Sequence, residues 1–183
     1  MFFGDKFNEN GTLKLNYVVE RVNDNIYHSR CRLKNKFEFN YDYFITFTFN
    51  PQFVNSNDAD LVTKELKVFF DCLRHKTRTY ADFKFRIVLC PDFASAEQGI
   101  HFHGLLWSNN YDVLKFVDSG RVTQNLEKIY NVELWDKGFT TAIKYDNNEK
   151  AKSYICKYIN KYSGKLLKRR FYFRTNIKEE RSV

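Results

Sequence analysis

The sequence predicts an α+β protein in which helices pack on one antiparallel sheet. Three observations carry this. Short runs dense in aromatic and β-branched residues alternate with segments of helical periodicity, in the order strand, helix, strand, strand, helix, strand, helix. Two of the strand runs are joined by a short polar link, which makes them a hairpin and hence antiparallel. The chain has 183 residues, 43% hydrophobic and 18% aromatic, enough for one domain with a real core.

Taken in order, residues 1–42 are mixed and form an accessory segment, in which "LKLNYVVERV" and "KFEFNYDYF" read as strand pieces. "YFITFTFN" (43–50) reads as a strand stopped by the Asn50-Pro51 turn. Tyr43, Ile45, Phe47 and Phe49 take one face and Thr46, Thr48 and Asn50 the other. This is a core strand whose aromatics could also stack unpaired bases. Residues 55–78 open with capping residues and carry Val62, Leu66, Phe69, Phe70 and Leu73 at helical spacing. "FKFRIVLCP" (83–91) and "IHFHGLLW" (100–107) are the hairpin strands, 121–131 reads as a helix, and "FTTAIKYD" (139–146) as a strand. "NEKAKSYICKYINKYSG" reads as a helix closed by Gly164, and the basic tail 163–183 offers one more strand.

The formal charge is +8, and residues 144–178 alone carry +9, so the rest is near neutral. That asymmetry fits either a polyanionic partner or a solvated charged face. Cys31, Cys72, Cys90 and Cys156 show no zinc or redox spacing and read as free core thiols in a reducing compartment. No membrane-length apolar run and no signal-peptide pattern occurs, so a soluble, cytoplasmic protein is expected, with no membrane partner.

His101 and His103 flank Phe102 on a strand, so both imidazoles share a face, about 7 Å apart at Cα. They are either a pair of metal ligands or a pair of hydrogen-bonded surface histidines. A carboxylate would complete a site with open positions of the kind Mg²⁺ or Mn²⁺ uses in phosphate chemistry. Asp92, at the end of the preceding strand, is preferred to Glu97 in the connection, because strand ends are held better than loops.

In "YICKYINK" (154–161), Tyr154, Lys157, Tyr158 and Lys161 fall in one helical stripe, with Ile155, Ile159 and Tyr162 in a second suited to packing on the sheet. The first stripe is either the wet side of an amphipathic helix or a reactive one. An ammonium beside a phenol favours the phenolate and can also hold a phosphate. Tyrosine, lysine and a two-histidine metal site together suffice to attack a DNA phosphodiester.

These residues resemble the HUH endonuclease superfamily, the rolling-circle replication initiators (Rep proteins). "HFH" at 101–103 is similar to the family's metal motif, "YICKYINK" to its tyrosine motif, and "FITFTFNP" at 44–51 to its first motif. The doubled Tyr-x-x-Lys resembles the two-tyrosine initiators of microviruses and related plasmids, and Asp92 stands nine residues before His101, where that group places its third ligand. The resemblance spans residues 43–162. It implies a ferredoxin-like sheet, as in RNA-recognition folds, with the tyrosine helix packed across it. It implies Mn²⁺ or Mg²⁺ on His101, His103 and Asp92, with Tyr154 and Tyr158 as nucleophiles and Lys157 and Lys161 beside them. It implies nicking and joining of single-stranded DNA, or of a hairpin, at a replication origin through a 5′-phosphotyrosine. The basic tail, with Lys165, Lys168, Arg169, Arg170 and Arg174, is expected to track the DNA backbone with salt-dependent affinity. No P-loop motif occurs, so a host or separate helicase would supply unwinding. A relaxase or transposase of the same superfamily, a non-catalytic single-strand-binding module and a structural role stay open as alternatives.

Overall fold

The computed structural model of the chain describes residues 15–93, 99–146, 149–159, 166 and 169–177, with side chains from Asn25 onward. In chain order the elements are α1 (Leu15–Lys36), β1 (Tyr43–Phe47), α2 (Ala59–Thr79), β2 (Phe85–Phe93), β3 (Ile100–Ser108), β4 (Phe116–Val122), β5 (Lys128–Val132), β6 (Thr140–Lys144), α3 (Glu149–Lys157) and β7 (Tyr172–Thr175). Among the described residues, the strands form one antiparallel sheet in the order β4-β5-β6-β1-β3-β2-β7. This is the expected α+β architecture.

Strand alternation divides the core in two. Ile45 and Phe47 of β1, Ile87 and Leu89 of β2, and Phe102 and Leu106 of β3 face α2. That helix presents Val62, Leu66, Phe69 and Leu73 to them, all buried, with Phe70 packed at the margin. Its start follows from Asp58, whose carboxylate accepts from Asp60 N at 2.9 Å and Leu61 N at 3.1 Å. On the opposite face Val88, Cys90 and Leu105 pack with Ile26 and Leu33 of α1 and with Ile155 of α3. The histidines of β3 belong to this second face.

Several expectations change. Residues 15–36 form a helix, so "LKLNYVVERV" is helical from Leu15 on, and of "KFEFNYDYF" only Tyr43 and Phe44 lie in a strand, β1. Ile26, Leu33 and Phe37 recur at helical spacing and are all buried, so the apolar stripe, not local β propensity, decides the segment. Residues 121–131 form most of the β4–β5 hairpin rather than a helix. Val122 and Leu126 are exposed and supply no helical face, whereas β5 gains a partner strand through Ile129↔Ile143 and Tyr130↔Ala142. The turn closes with Thr123 N donating to Glu127 O at 2.9 Å and Leu126 at φ 63°. The hairpin strand β2 runs past Pro91 to Phe93; its pairing with β7 ends at Leu89, so among the described residues Pro91 is paired with β3 alone. The last helix ends at Lys157, and the expected extension to Gly164 falls on residues that, from Asn160 on, lie outside the described ones. The tail does add a strand, β7, on the edge of β2. The four thiols are free, but of the expected core thiols Cys90 alone is buried; Cys31 and Cys156 are half-buried, and Cys72 is exposed on the wet side of α2. No described helix is long and apolar enough to cross a membrane.

Candidate active site

The β2–β3 hairpin sets the site. Its register places Asp92 opposite His101 and Cys90 opposite His103, so Asp92 and both histidines emerge on one face. Asp92 Oδ2 lies 3.2 Å from His101 Nε2 and 4.0 Å from His103 Nε2. The two Nε2 atoms are 3.1 Å apart. Two nitrogens and one carboxylate oxygen thus converge within 4.8 Å of one another.

The remaining ring nitrogens are also held. Nδ1 of His101 faces the Gly99 carbonyl at 3.3 Å, which can only accept, so this nitrogen donates and Nε2 is turned toward Asp92. Gly99 reaches that position with φ +64°, where a Cβ would collide with the Ser56 hydroxyl. Nδ1 of His103 lies 3.1 Å from Thr46 Oγ1. Thr46 is brought there by the β1–β3 register, Thr46↔His103.

Burial, reinforced by His101, lowers the His103 pKa to about 4, so this imidazole is neutral and its lone pair available at neutral pH. Burial also raises Asp92 above the ordinary carboxylate value, a rise that His101 partly offsets. The neutral His103 and the carboxylate of Asp92 both offer electron pairs to this spot. The donor set and spacing fit a small divalent cation: adjacent ligands of an octahedral ion at about 2.1 Å lie about 3 Å apart.

The tyrosines close over this cluster. Tyr154 lies in α3, and Tyr158 in the turn that ends it, where Tyr158 N donates to Ile155 O at 3.2 Å. The Tyr158 ring stacks on His103, with centroids 4.8 Å apart and planes at 18°. Tyr154 meets the same imidazole edge-on at 5.3 Å and Tyr158 at 5.2 Å. Phe44 lies on His103 at 5.9 Å and 27°. Among the described residues of the segment Ile155 and Ile159 are buried, as the second stripe predicts, while its third member, Tyr162, lies outside the described residues.

The described groups around Tyr158 act on its phenol in one direction. Burial, the hydrogen bond with Tyr154, and the nearby Tyr154 and Asp92 charges all raise its phenol well above the ordinary range. The described ammonium of the stripe, Lys157, lies 5.8 Å from the centroid of the Tyr154 ring. Lys161, Tyr162, Lys165, Lys168 and Glu97 lie outside the described residues.

The tail arginines divide between the two faces. Arg169 and Arg170 line a cleft of about 520 Å³ with Arg32 of α1. Arg174, opposite Ile87, lies on the α2 side over the Phe70 ring at 4.9 Å, across the sheet from the histidines.

Sequence reasoning did not identify Thr46, Phe44 or Gly99 as parts of the site. Alternation put Thr46 on the polar face of its strand, but only strand pairing shows that this face meets His103.

A family model describing replication-associated proteins of the ORF2 type matches residues 42–163, which span β1 to the tyrosine segment and include every residue of the histidine–aspartate–tyrosine cluster. No curated protein and no solved structure matches the chain.

Proposed function

Since the chain belongs to this family of replication-associated proteins, we propose that it starts rolling-circle replication as a two-tyrosine HUH endonuclease, nicking and rejoining single-stranded DNA at an origin. The observation that carries this reading is the contact of both tyrosines with His103, itself one corner of the His101–His103–Asp92 donor set.

His101, His103 and Asp92 would hold one Mn²⁺ or Mg²⁺, which when bound polarises the scissile phosphate. Thr46 and the Gly99 carbonyl hold the two imidazoles with both Nε2 atoms turned toward Asp92, where they would be available to the ion. A tyrosine oxygen forms the bond to phosphorus while the bond to the 3′ oxygen breaks. The proton given up by the phenol is matched by the one the leaving 3′ oxygen takes up to become a hydroxyl, and the 5′ phosphate remains on the tyrosine. The free 3′ hydroxyl primes synthesis. With two tyrosines on one imidazole, one keeps the 5′ end while the other cleaves the new junction, and the strand is then joined into a circle. Arg169 and Arg170 contact the DNA backbone.

The test is incubation of the full chain with Mn²⁺ and a diverse pool of single-stranded DNA, read on a denaturing gel as a DNA-linked protein band. The band should persist in Tyr154→Phe or Tyr158→Phe and vanish in the double variant and in His101→Ala. Tight DNA binding with no band across the pool would refute nicking and favour a single-strand-binding module.

A further inference from the structure

Helix α1 lies outside the family-matched segment, which begins at residue 42. Yet it touches the element that carries the chemistry. Arg30 Nε donates to the Ile159 carbonyl at 2.7 Å, a bond spanning 129 residues of chain. The acceptor belongs to the residue directly after Tyr158. At this point α3 has ended, and the chain is held by two tight bonds, Tyr158 N to Ile155 O and Ile159 N to Cys156 O, both 3.2 Å. Carbonyls past a helix end have no partner within the helix, and a guanidinium is a strong, fixed-geometry donor for them. Ile159 is fully buried in the cluster that also holds Leu33 and Phe37, so α1 packs beside the bond it makes.

We propose that Arg30 is a positioning residue, which keeps the Tyr158 ring stacked on His103 by fixing the Ile159 carbonyl, and that α1 is therefore a clamp on the second tyrosine. The catalytic part of this inference rests on the nicking reading. Tyr154 is placed differently. It sits within α3, a full turn from the clamp, and helical hydrogen bonds hold its backbone. Loss of Arg30 therefore separates the two tyrosines: Tyr158 loses its seat and Tyr154 keeps its own.

The test uses the full chain with Arg30→Met, which keeps the length and apolar stem but removes the donor, and Arg30→Lys, which restores a cationic donor. Backbone hydrogen exchange is read first, without DNA or metal. Exchange at Tyr158 and Ile159 should quicken about tenfold in Arg30→Met, the effect of losing one charged hydrogen bond. Amides of α2 and of the central strands should stay protected, showing that the fold persists. Covalent DNA adducts are then measured with Mn²⁺ in two backgrounds. In Tyr154→Phe, where Tyr158 alone can react, Arg30→Met should lower the adduct rate about tenfold, and Arg30→Lys should recover at least half of it. In Tyr158→Phe the same change should alter the rate less than twofold.

Unchanged exchange at Tyr158 and Ile159 in Arg30→Met would overturn the clamp. Equal losses in both backgrounds would also overturn it, by making Arg30 a general support of the fold. If Arg30→Met proves unfolded, the comparison rests on Arg30→Lys, and a loss of rate in Tyr158→Phe as large as or larger than that in Tyr154→Phe counts against the proposal. Absence of any adduct in the unsubstituted chain would overturn the nicking reading and the positioning role with it. The exchange measurement, which needs no DNA, separates that failure from failure of the clamp itself.

Discussion

Acidifying the metal-free chain is expected to destabilise it through His103. In the folded state this imidazole titrates at about 4, because it is buried and faces His101; once unfolded, it returns to its ordinary value of 6.5. Between these values the unfolded state binds more protons than the folded one, so stability falls as pH drops below 6.5 and the loss is complete below about 4. At about 1.4 kcal/mol per pH unit, the span sets a ceiling of about 3 kcal/mol. With a His103 side chain only 10% exposed, most of that ceiling should be realised. The raised carboxyl of Asp92 works in the opposite sense, since the folded state takes up its proton more readily and regains some stability at the acid end. The net loss is therefore read against a variant rather than alone. Urea unfolding in EDTA at pH 7.5 and 4.5 should show a stability loss about 2 kcal/mol larger for the unsubstituted chain than for His103→Gln. Parallel losses within about 0.5 kcal/mol would refute the reasoning, because the imidazole would then be solvated and Tyr158 and Phe44 would not cover it.

Three further outcomes follow from the geometry. Thr46→Val keeps the side-chain shape but removes the partner of His103 Nδ1; Mn²⁺ affinity by calorimetry should fall about 10- to 100-fold with little change in the urea midpoint, and unchanged affinity would mean that Thr46 does not orient the ring. Phe102→Ala empties a fully buried position between Phe49 and Trp135; it should cost about 3–5 kcal/mol in urea unfolding, and a loss under about 1 kcal/mol would show that this face of the sheet is not packed. Gly99→Ala and Gly120→Ala both place a side chain at positive φ, but only at Gly99 does the Cβ meet another atom, Ser56. Gly120→Ala should cost about 1–2 kcal/mol for the backbone alone, whereas Gly99→Ala should cost more and also weaken Mn²⁺ binding by shifting the His101 anchor; equal melting temperatures for the two would count against the Ser56 contact.

The candidate site was legible in sequence to the extent that it depends on short spacing. Two histidines flanking one residue of a strand must share a face, and an acid at the end of the partner strand must come near them. The tyrosines were legible because a helix places i and i+4 together, and Tyr158 keeps that relation although α3 ends one residue before it. The misreadings have a common cause. Residues 121–131 carry apolar groups at helical intervals, but whether those groups are buried is settled by β6, more than ten residues away. Residues 15–36 are rich enough in valine and tyrosine to suggest strands, and become a helix because Ile26 and Leu33 have a sheet face to cover.

What the sequence determined by itself is local: the alternation of β1 and β3, the capped and striped α2, the paired imidazoles and the paired phenols. These depend on backbone periods that hold wherever the chain goes. What only the tertiary structure decided is which of these faces meet. The register of β1 on β3 brings Thr46 to His103, the cover of α3 brings both tyrosines onto that ring, and α1 brings Arg30 to the end of the tyrosine segment. The tertiary structure also brings Asp92 and the burial that raise the Tyr158 phenol, which no spacing within the tyrosine segment encodes. Contacts of this kind join residues far apart in the chain, and no local period encodes them.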